Sequence, residues 1–114
     1  MTTASVGNLT VQAVKDAIAS GQVQVVDVRM PAEFAGGHIP TAKNLPFVGF
    51  ESRHKQLSPT LSPIFVCEDG NRAAEVAAKA VTKGYPGVGV LEGGMRAWLA
   101  ANEPLSTFDD GMFI

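Results

Sequence analysis

Apolar and polar residues follow one another in short segments that predict helices and strands in alternation. Four apolar residues recur at helical spacing between Thr10, a suitable N-cap, and Gly21, a suitable stop, so residues 10–20 predict a helix. The β-branched run 23–28 predicts a buried strand. Pro31 then begins a short helix, a brief extended piece follows, and residues 47–57 predict a further helix.

The second half of the chain repeats the alternation more clearly. It predicts an apolar strand over 63–67, an alanine-rich helix over 72–83 with Glu75 and Lys79 spaced to pair outside, a strand over 88–91, and a last helix after Gly93-Gly94. Strands that alternate with helices imply crossover connections and a mainly parallel sheet. The predicted fold class is therefore α/β.

Length and composition describe one ordinary globular domain. The 114 residues are 46% apolar and 18% charged, which predicts a single domain over 1–114 with its core at about 10–105 and a short tail over 106–114. A net charge of −2 without clustered Lys and Arg disfavours a nucleic-acid partner. With neither a membrane-length apolar run nor a signal-peptide pattern, we expect a cytoplasmic protein without a membrane partner.

The few metal-binding residue types disfavour a metal centre. The chain has one cysteine, which excludes an intramolecular disulfide and an all-cysteine metal site. Its two histidines are far apart: His38 is interpreted as structural, and His54 as lying on a solvated helix face. We therefore expect neither a metal nor another cofactor.

The candidate reactive residue is Cys67, at the end of a predicted strand. Ligands of open α/β sheets bind beyond the carboxyl ends of the strands. Gly70 allows the following loop to curl, and a curled loop before a helix turns backbone N–H groups towards an anion, which should favour the thiolate. A lone cysteine at a strand end is also compatible with an inert core residue. The polar, glycine-containing loop after it favours a functional thiol.

Three motifs in order make this chain resemble a rhodanese domain, from about residue 10 to 105. The first half contains VVDVR (25–29), EF (33–34) and GHIPTAKNLP (37–46). CEDGNR (67–72) resembles the family's active-site loop, Cys-x-x-Gly-x-Arg, and LEGGMRAW (91–98) resembles its closing motif. The resemblance implies a three-layer fold with a mainly parallel five-stranded sheet between helices.

The resemblance also implies a sulfurtransferase that moves sulfane sulfur through a Cys67 persulfide. Phosphatases of the cell-cycle type share the fold but have one more residue between Cys and Arg, so the shorter loop disfavours that activity. The expected partners are a small donor such as thiosulfate or a persulfide, including a protein persulfide, and a thiol or cyanide acceptor, with the chain a monomer or homodimer. The alternative is a non-catalytic rhodanese-like binding or regulatory module.

The remaining candidate site residues surround Cys67 in this interpretation. The loop residues would bind substrate through their backbone amides and rim side chains: Glu68, Asp69, Gly70, Asn71 and Arg72. A second set would lie behind the loop and support it: Asp27, Arg29 and Glu33. The resemblance implies that Arg72 pairs with an acidic group, either Asp27 or Glu33. Two carboxylates beside the thiol should disfavour the thiolate and an anionic donor, unless both point to solvent and are screened.

Overall fold

A computed structural model describes residues 6–107, and most of the predicted tail, including the apolar end 112–114, lies outside the described residues. The strands are β1 (Gly7–Leu9), β2 (Val23–Asp27), β3 (Lys43–Asn44), β4 (Ser62–Val66) and β5 (Gly89–Leu91). The helices are α1 (Val11–Ser20), α2 (Pro31–Ala35), α3 (Phe50–Arg53), α4 (Asn71–Thr82) and α5 (Gly94–Ala100).

The five strands form one parallel sheet in the order β1-β5-β4-β2-β3, which confirms the predicted fold class. The central pair is β2 and β4, whose register sets Val25 beside Ile64 and Asp27 beside Val66. Both strands therefore end at the same level, one on Asp27 and the other directly before Cys67.

Helices cover both faces of the sheet. Successive strand residues point to opposite sides, so neighbouring residues of one strand pack against different helices. Val25 and Ile64 pack with residues of α1, α2 and α5 on one face. Val26 and Phe65 pack with residues of α3 and α4 on the other. Both faces of the central strands are buried, as expected of a parallel sheet flanked by helices.

Local interactions at both ends explain why α1 forms where the sequence predicts it. The Thr10 side chain accepts a hydrogen bond from the Ala13 N–H at 3.1 Å, which satisfies one of the free amides of the first turn. Gly21 adopts a left-handed conformation with φ of 74° and ends the helix. The predicted start and stop are both confirmed.

The predicted single helix over 47–57 is wrong in detail. Residues Phe47–Gly49 form a 3-10 turn, α3 spans one turn, and His54–Gln56 form a second 3-10 turn. The segment is anchored by Phe50, which is 1% exposed and packs edge-on against Phe65 with ring centroids 5.9 Å apart. Packing of this one ring holds a segment whose helix is short and irregular.

Chain direction in the sheet creates a crevice between β2 and β4. From β2 the chain passes through α2 on one face to β3, and from β4 it passes through α4 on the other face to β5. Adjacent strands whose connections leave in opposite directions are a topological switch point, where ligand sites of α/β proteins form. In residues 6–107, no helix is both long and apolar enough to cross a membrane.

Candidate functional site

A cleft of about 160 Å³, here called the thiol cleft, occupies this switch point. Its walls come from the segments after β2 and β4, from α2, from the 3-10 turn after β3, and from the start of α4. The lining residues are Val28, Arg29, Met30, Glu33, Phe47, Cys67, Glu68, Asp69 and Arg72. The cleft thus brings together most of the predicted site residues, Cys67 among them.

The Cys67 thiol lies in a nest of backbone N–H groups. Its Sγ accepts hydrogen bonds from the Gly70 N–H at 3.1 Å and the Ala73 N–H at 3.3 Å. Gly70 has φ of 98°, a left-handed conformation that turns its N–H back towards the sulfur. Cys67 is only 5% exposed: it lines the cleft, and its Sγ is bonded to an N–H group in the first turn of α4. This arrangement stabilises negative charge on sulfur.

The N-terminus of α5 supports the Cys67 loop from behind. The Met95 N–H donates to the Cys67 carbonyl at 2.8 Å, and the Arg96 N–H donates to the Glu68 carbonyl at 3.1 Å. A Cβ on Gly94 would lie 2.3 Å from the Cys67 carbonyl oxygen, so only glycine permits this approach. The sequence interpretation treated Gly93-Gly94 as a turn; the closeness of α5 to the loop is visible only in three dimensions.

The two loop carboxylates have different surroundings. Glu68 is half-exposed and pairs with Arg96 at 3.6 Å. Asp69 accepts the Asn71 N–H at 2.9 Å through Oδ1, and the same oxygen is 3.9 Å from the Cys67 Sγ. Asp69 is thus an exposed residue whose carboxylate nevertheless lies close to the sulfur, whereas Glu68 is held by Arg96.

Arg72 does not pair with Asp27 or Glu33, so the interpretation drawn from the resemblance is wrong on this point. Its guanidinium lies over the Phe47 ring, 3.7 Å from the centroid, and contacts Glu75 at 3.4 Å. The flat ring offers a π face to the cation at the edge of the cleft. Glu75 therefore pairs with Arg72, three residues before it, and not with Lys79 as the sequence predicted. The ring, which sequence reasoning had not connected with the site, forms one wall of the cleft.

Asp27 and Arg29 instead pair with each other beneath the cleft. The Arg29 Nη2 lies 2.8 Å from Asp27 Oδ2, with side-chain exposures of 9% and 1%, and the same nitrogen donates to the Gly37 carbonyl at 2.7 Å. Asn44 donates through Nδ2 to the backbone carbonyls of both residues at 3.0 Å. Asp27 therefore has Arg29 as its charge partner, not Arg72, and the supporting role of the pair stays a prediction.

Glu33 and the histidines have local contacts of their own. The Glu33 carboxylate accepts the Met30 N–H at 3.2 Å and caps α2 while it lines the cleft. His38 is 2% exposed and stacks on Phe34 with centroids 3.6 Å apart, which fits the predicted structural role. His54 is half-buried, 3.0 Å from the Tyr85 hydroxyl, and burial lowers its pKa; it is not the solvated residue predicted. Residues 6–107 contain no cluster of three metal-ligating side chains.

Comparisons with known proteins agree with these features. A family model described as "Rhodanese-like domain" matches residues 10–101. A protein named "Sulfurtransferase" from Allochromatium vinosum is 34% identical over 83 residues, 73% of this chain and 78% of that protein. The human protein named "Thiosulfate:glutathione sulfurtransferase" is 30% identical over 96 residues, 72% of this chain and 84% of that protein.

Solved structures agree with the fold. The crystal structure of a rhodanese-related protein from Thermoplasma volcanium matches with a TM-score of 0.82 and 25% identity, covering 90% of this chain and 99% of the other. Some relatives are longer: the chain spans 46% of a matching Synechocystis protein and 61% of one from Bacillus subtilis. With a family model that matches most of its length, the chain belongs to the rhodanese-like domain family.

Proposed function

We propose that the protein is a sulfurtransferase that carries sulfane sulfur on Cys67 as a persulfide. One observation carries the proposal most strongly: Cys67 lines the cleft and its Sγ accepts two backbone N–H hydrogen bonds. Such donors stabilise a thiolate, the nucleophilic form of cysteine. The relatives named as sulfurtransferases support the same reaction class.

In the first step the Cys67 thiolate attacks the outer sulfur of the donor. A new S–S bond forms at Cys67 while the donor's bond to that sulfur breaks, and the leaving group takes the electron pair. With thiosulfate the leaving group is sulfite; with a persulfide it is a thiolate. The Gly70 and Ala73 N–H groups are placed to hold the negative charge near the sulfur throughout.

In the second step an acceptor thiolate, or cyanide, attacks the outer sulfur of the Cys67 persulfide. The bond from the acceptor to that sulfur forms, the S–S bond to Cys67 breaks, and Cys67 leaves as a thiolate ready for another cycle. We further expect a cytoplasmic protein that uses neither a metal nor another cofactor. The partners would be a small sulfur donor and a thiol acceptor, or a protein persulfide.

Steady-state kinetics test this proposal. With thiosulfate and cyanide varied together, double-reciprocal plots should give parallel lines, the signature of a covalent intermediate. Cys67→Ser should retain the circular dichroism spectrum of the parent and lose turnover. Turnover retained by Cys67→Ser would contradict the proposal. Lack of turnover by the parent with thiosulfate and with persulfide donors would favour the non-catalytic module.

A further inference from the structure

The thiol cleft continues into a second depression of about 330 Å³, here called the apolar groove. Three residues line both: Arg29, Glu33 and Glu68. Beyond them the groove is floored by Met95 of α5 and bounded by Leu99 and Leu105. The cleft that contains Cys67 and the groove beside it therefore form one extended surface channel, which is larger than a small inorganic donor requires.

Exposed apolar side chains are concentrated along this channel. Leu99 is 49% exposed and Leu105 is 43% exposed, both at the groove, and Met30 is 43% exposed in the thiol cleft. In residues 6–107 only one other large apolar side chain is exposed, Val48, and it lines neither depression. Clustered exposed apolar residues around a reactive group are typical of a binding surface.

The channel is also acidic. Within the described part of the chain, no Lys or Arg forms an ion pair with Glu33 or Asp69. The Arg29 side chain is only 9% exposed and is paired with the carboxylate of Asp27, and Arg72 is paired with Glu75. The unbalanced charge at the surface is therefore negative, which disfavours anionic occupants and favours cationic ones.

We propose that the channel binds a polypeptide segment in which a cysteine has basic neighbours and an apolar side chain close by. This inference rests on the proposed sulfurtransferase function and specifies the acceptor. The apolar side chain would pack between Leu99 and Leu105, and the basic residues would face Glu33 and Asp69. The cysteine would then reach the sulfur on Cys67.

Sulfur transfer to this segment follows the same chemistry. The peptide thiolate attacks the outer sulfur of the Cys67 persulfide, so a peptide S–S bond forms and the S–S bond at Cys67 breaks. The products are a peptide persulfide and the Cys67 thiolate, with no electron gained or lost overall. A compact anionic thiol such as glutathione would use the thiol cleft alone and would face its unbalanced carboxylates.

Three blocked tetrapeptides test the proposal: Lys-Leu-Cys-Lys, Glu-Leu-Cys-Glu and Lys-Gly-Cys-Lys. The full protein is first loaded with sulfur and its mass checked, and single-turnover transfer to each peptide is then timed. Each rate is divided by the same peptide's rate with a small disulfide in solution, which removes differences in thiol reactivity. We expect the first peptide to react about tenfold faster than the second, and severalfold faster than the third.

Variants assign the preference to the groove. Leu99→Ser should abolish the advantage of the leucine peptide over the glycine peptide, whereas Val48→Ser, a matched change outside the channel, should leave it unchanged. Equal normalised rates for all three peptides, or an equal loss with Val48→Ser, would overturn the proposal. Failure of the parent protein to load sulfur would contradict the proposed function itself, so the two failures are distinguishable.

Discussion

Replacement of Gly94 by alanine tests how α5 supports the reactive loop. Gly94 has φ of 59°, and its added Cβ would lie 2.3 Å from the Cys67 carbonyl oxygen and 2.7 Å from the Glu68 carbonyl carbon. A left-handed conformation costs a non-glycine residue about 1–2 kcal/mol. Because the clashing atoms belong to the backbone and cannot rotate away, overpacking adds about 1–3 kcal/mol. We expect Gly94→Ala to lower the free energy of unfolding by about 2–5 kcal/mol.

Gly84 provides a matched control, since its φ is 88° and a Cβ there would meet no atom within 4 Å. Gly84→Ala should therefore show only the conformational cost, about 1–2 kcal/mol. Urea unfolding measures both variants, and the rate of sulfur loading measures the effect on Cys67. We expect Gly94→Ala to load at least about tenfold more slowly, because displacement of the loop turns Sγ from its N–H donors. Equal stability losses and equal loading rates in the two variants would refute this reasoning.

Three further predictions concern buried and surface charge. Arg29→Ala leaves the Asp27 carboxylate buried without its partner and should lower the free energy of unfolding by about 3–5 kcal/mol in urea titrations; a loss below 1 kcal/mol would contradict the assigned pairing. Burial lowers the pKa of His54 below its ordinary 6.5, so the His54 imidazole binds a proton more readily in the unfolded chain than in the folded one. The free energy of unfolding should therefore fall as the pH drops below about 6.5, and His54→Gln should flatten this dependence; an unchanged slope in the variant would contradict the prediction. Asp69→Asn removes a carboxylate 3.9 Å from the Cys67 Sγ, and the repulsion between that carboxylate and a thiolate is worth about 1 kcal/mol at an exposed position. The rate of sulfur loading from thiosulfate should therefore rise about fivefold, and an unchanged rate would show that the charge is screened.

The periodic segments of the chain are those whose structure could be predicted. Helices α1 and α4 and strands β2 and β4 have strong apolar patterns and clear capping or stop residues. Strand β1 has neither feature. The segment Gly7-Asn8-Leu9 joins the edge of the sheet by backbone pairing with β5, and its side chains show no pattern that predicts a strand. The irregular segment around α3 also depends on tertiary packing of Phe50, which local propensity does not contain.

The position of Cys67 after a buried strand was predictable because strand, loop glycine and helix are consecutive in sequence. Charge partners were not predictable in the same way. Arg72 lies over Phe47 because the crevice brings a turn residue from a distant segment to the start of α4. Asp27 pairs with Arg29, only two residues along the chain, although the resemblance implied Arg72 as its partner. The support that α5 gives the loop depends likewise on the approach of Gly94 to a distant backbone. Such contacts between distant segments require the folded structure.

Peptide-resolved mass spectrometry tests the central claim most directly. The protein is incubated with thiosulfate, or with a small persulfide, then trapped and digested before and after addition of an acceptor thiol. We expect the peptide that contains Cys67 to gain one sulfur, about 32 Da, and to lose it when the acceptor is added. Cys67→Ser treated in the same way should gain nothing. A Cys67 peptide that remains unmodified with both donors, or an added sulfur that no acceptor removes, would contradict the account.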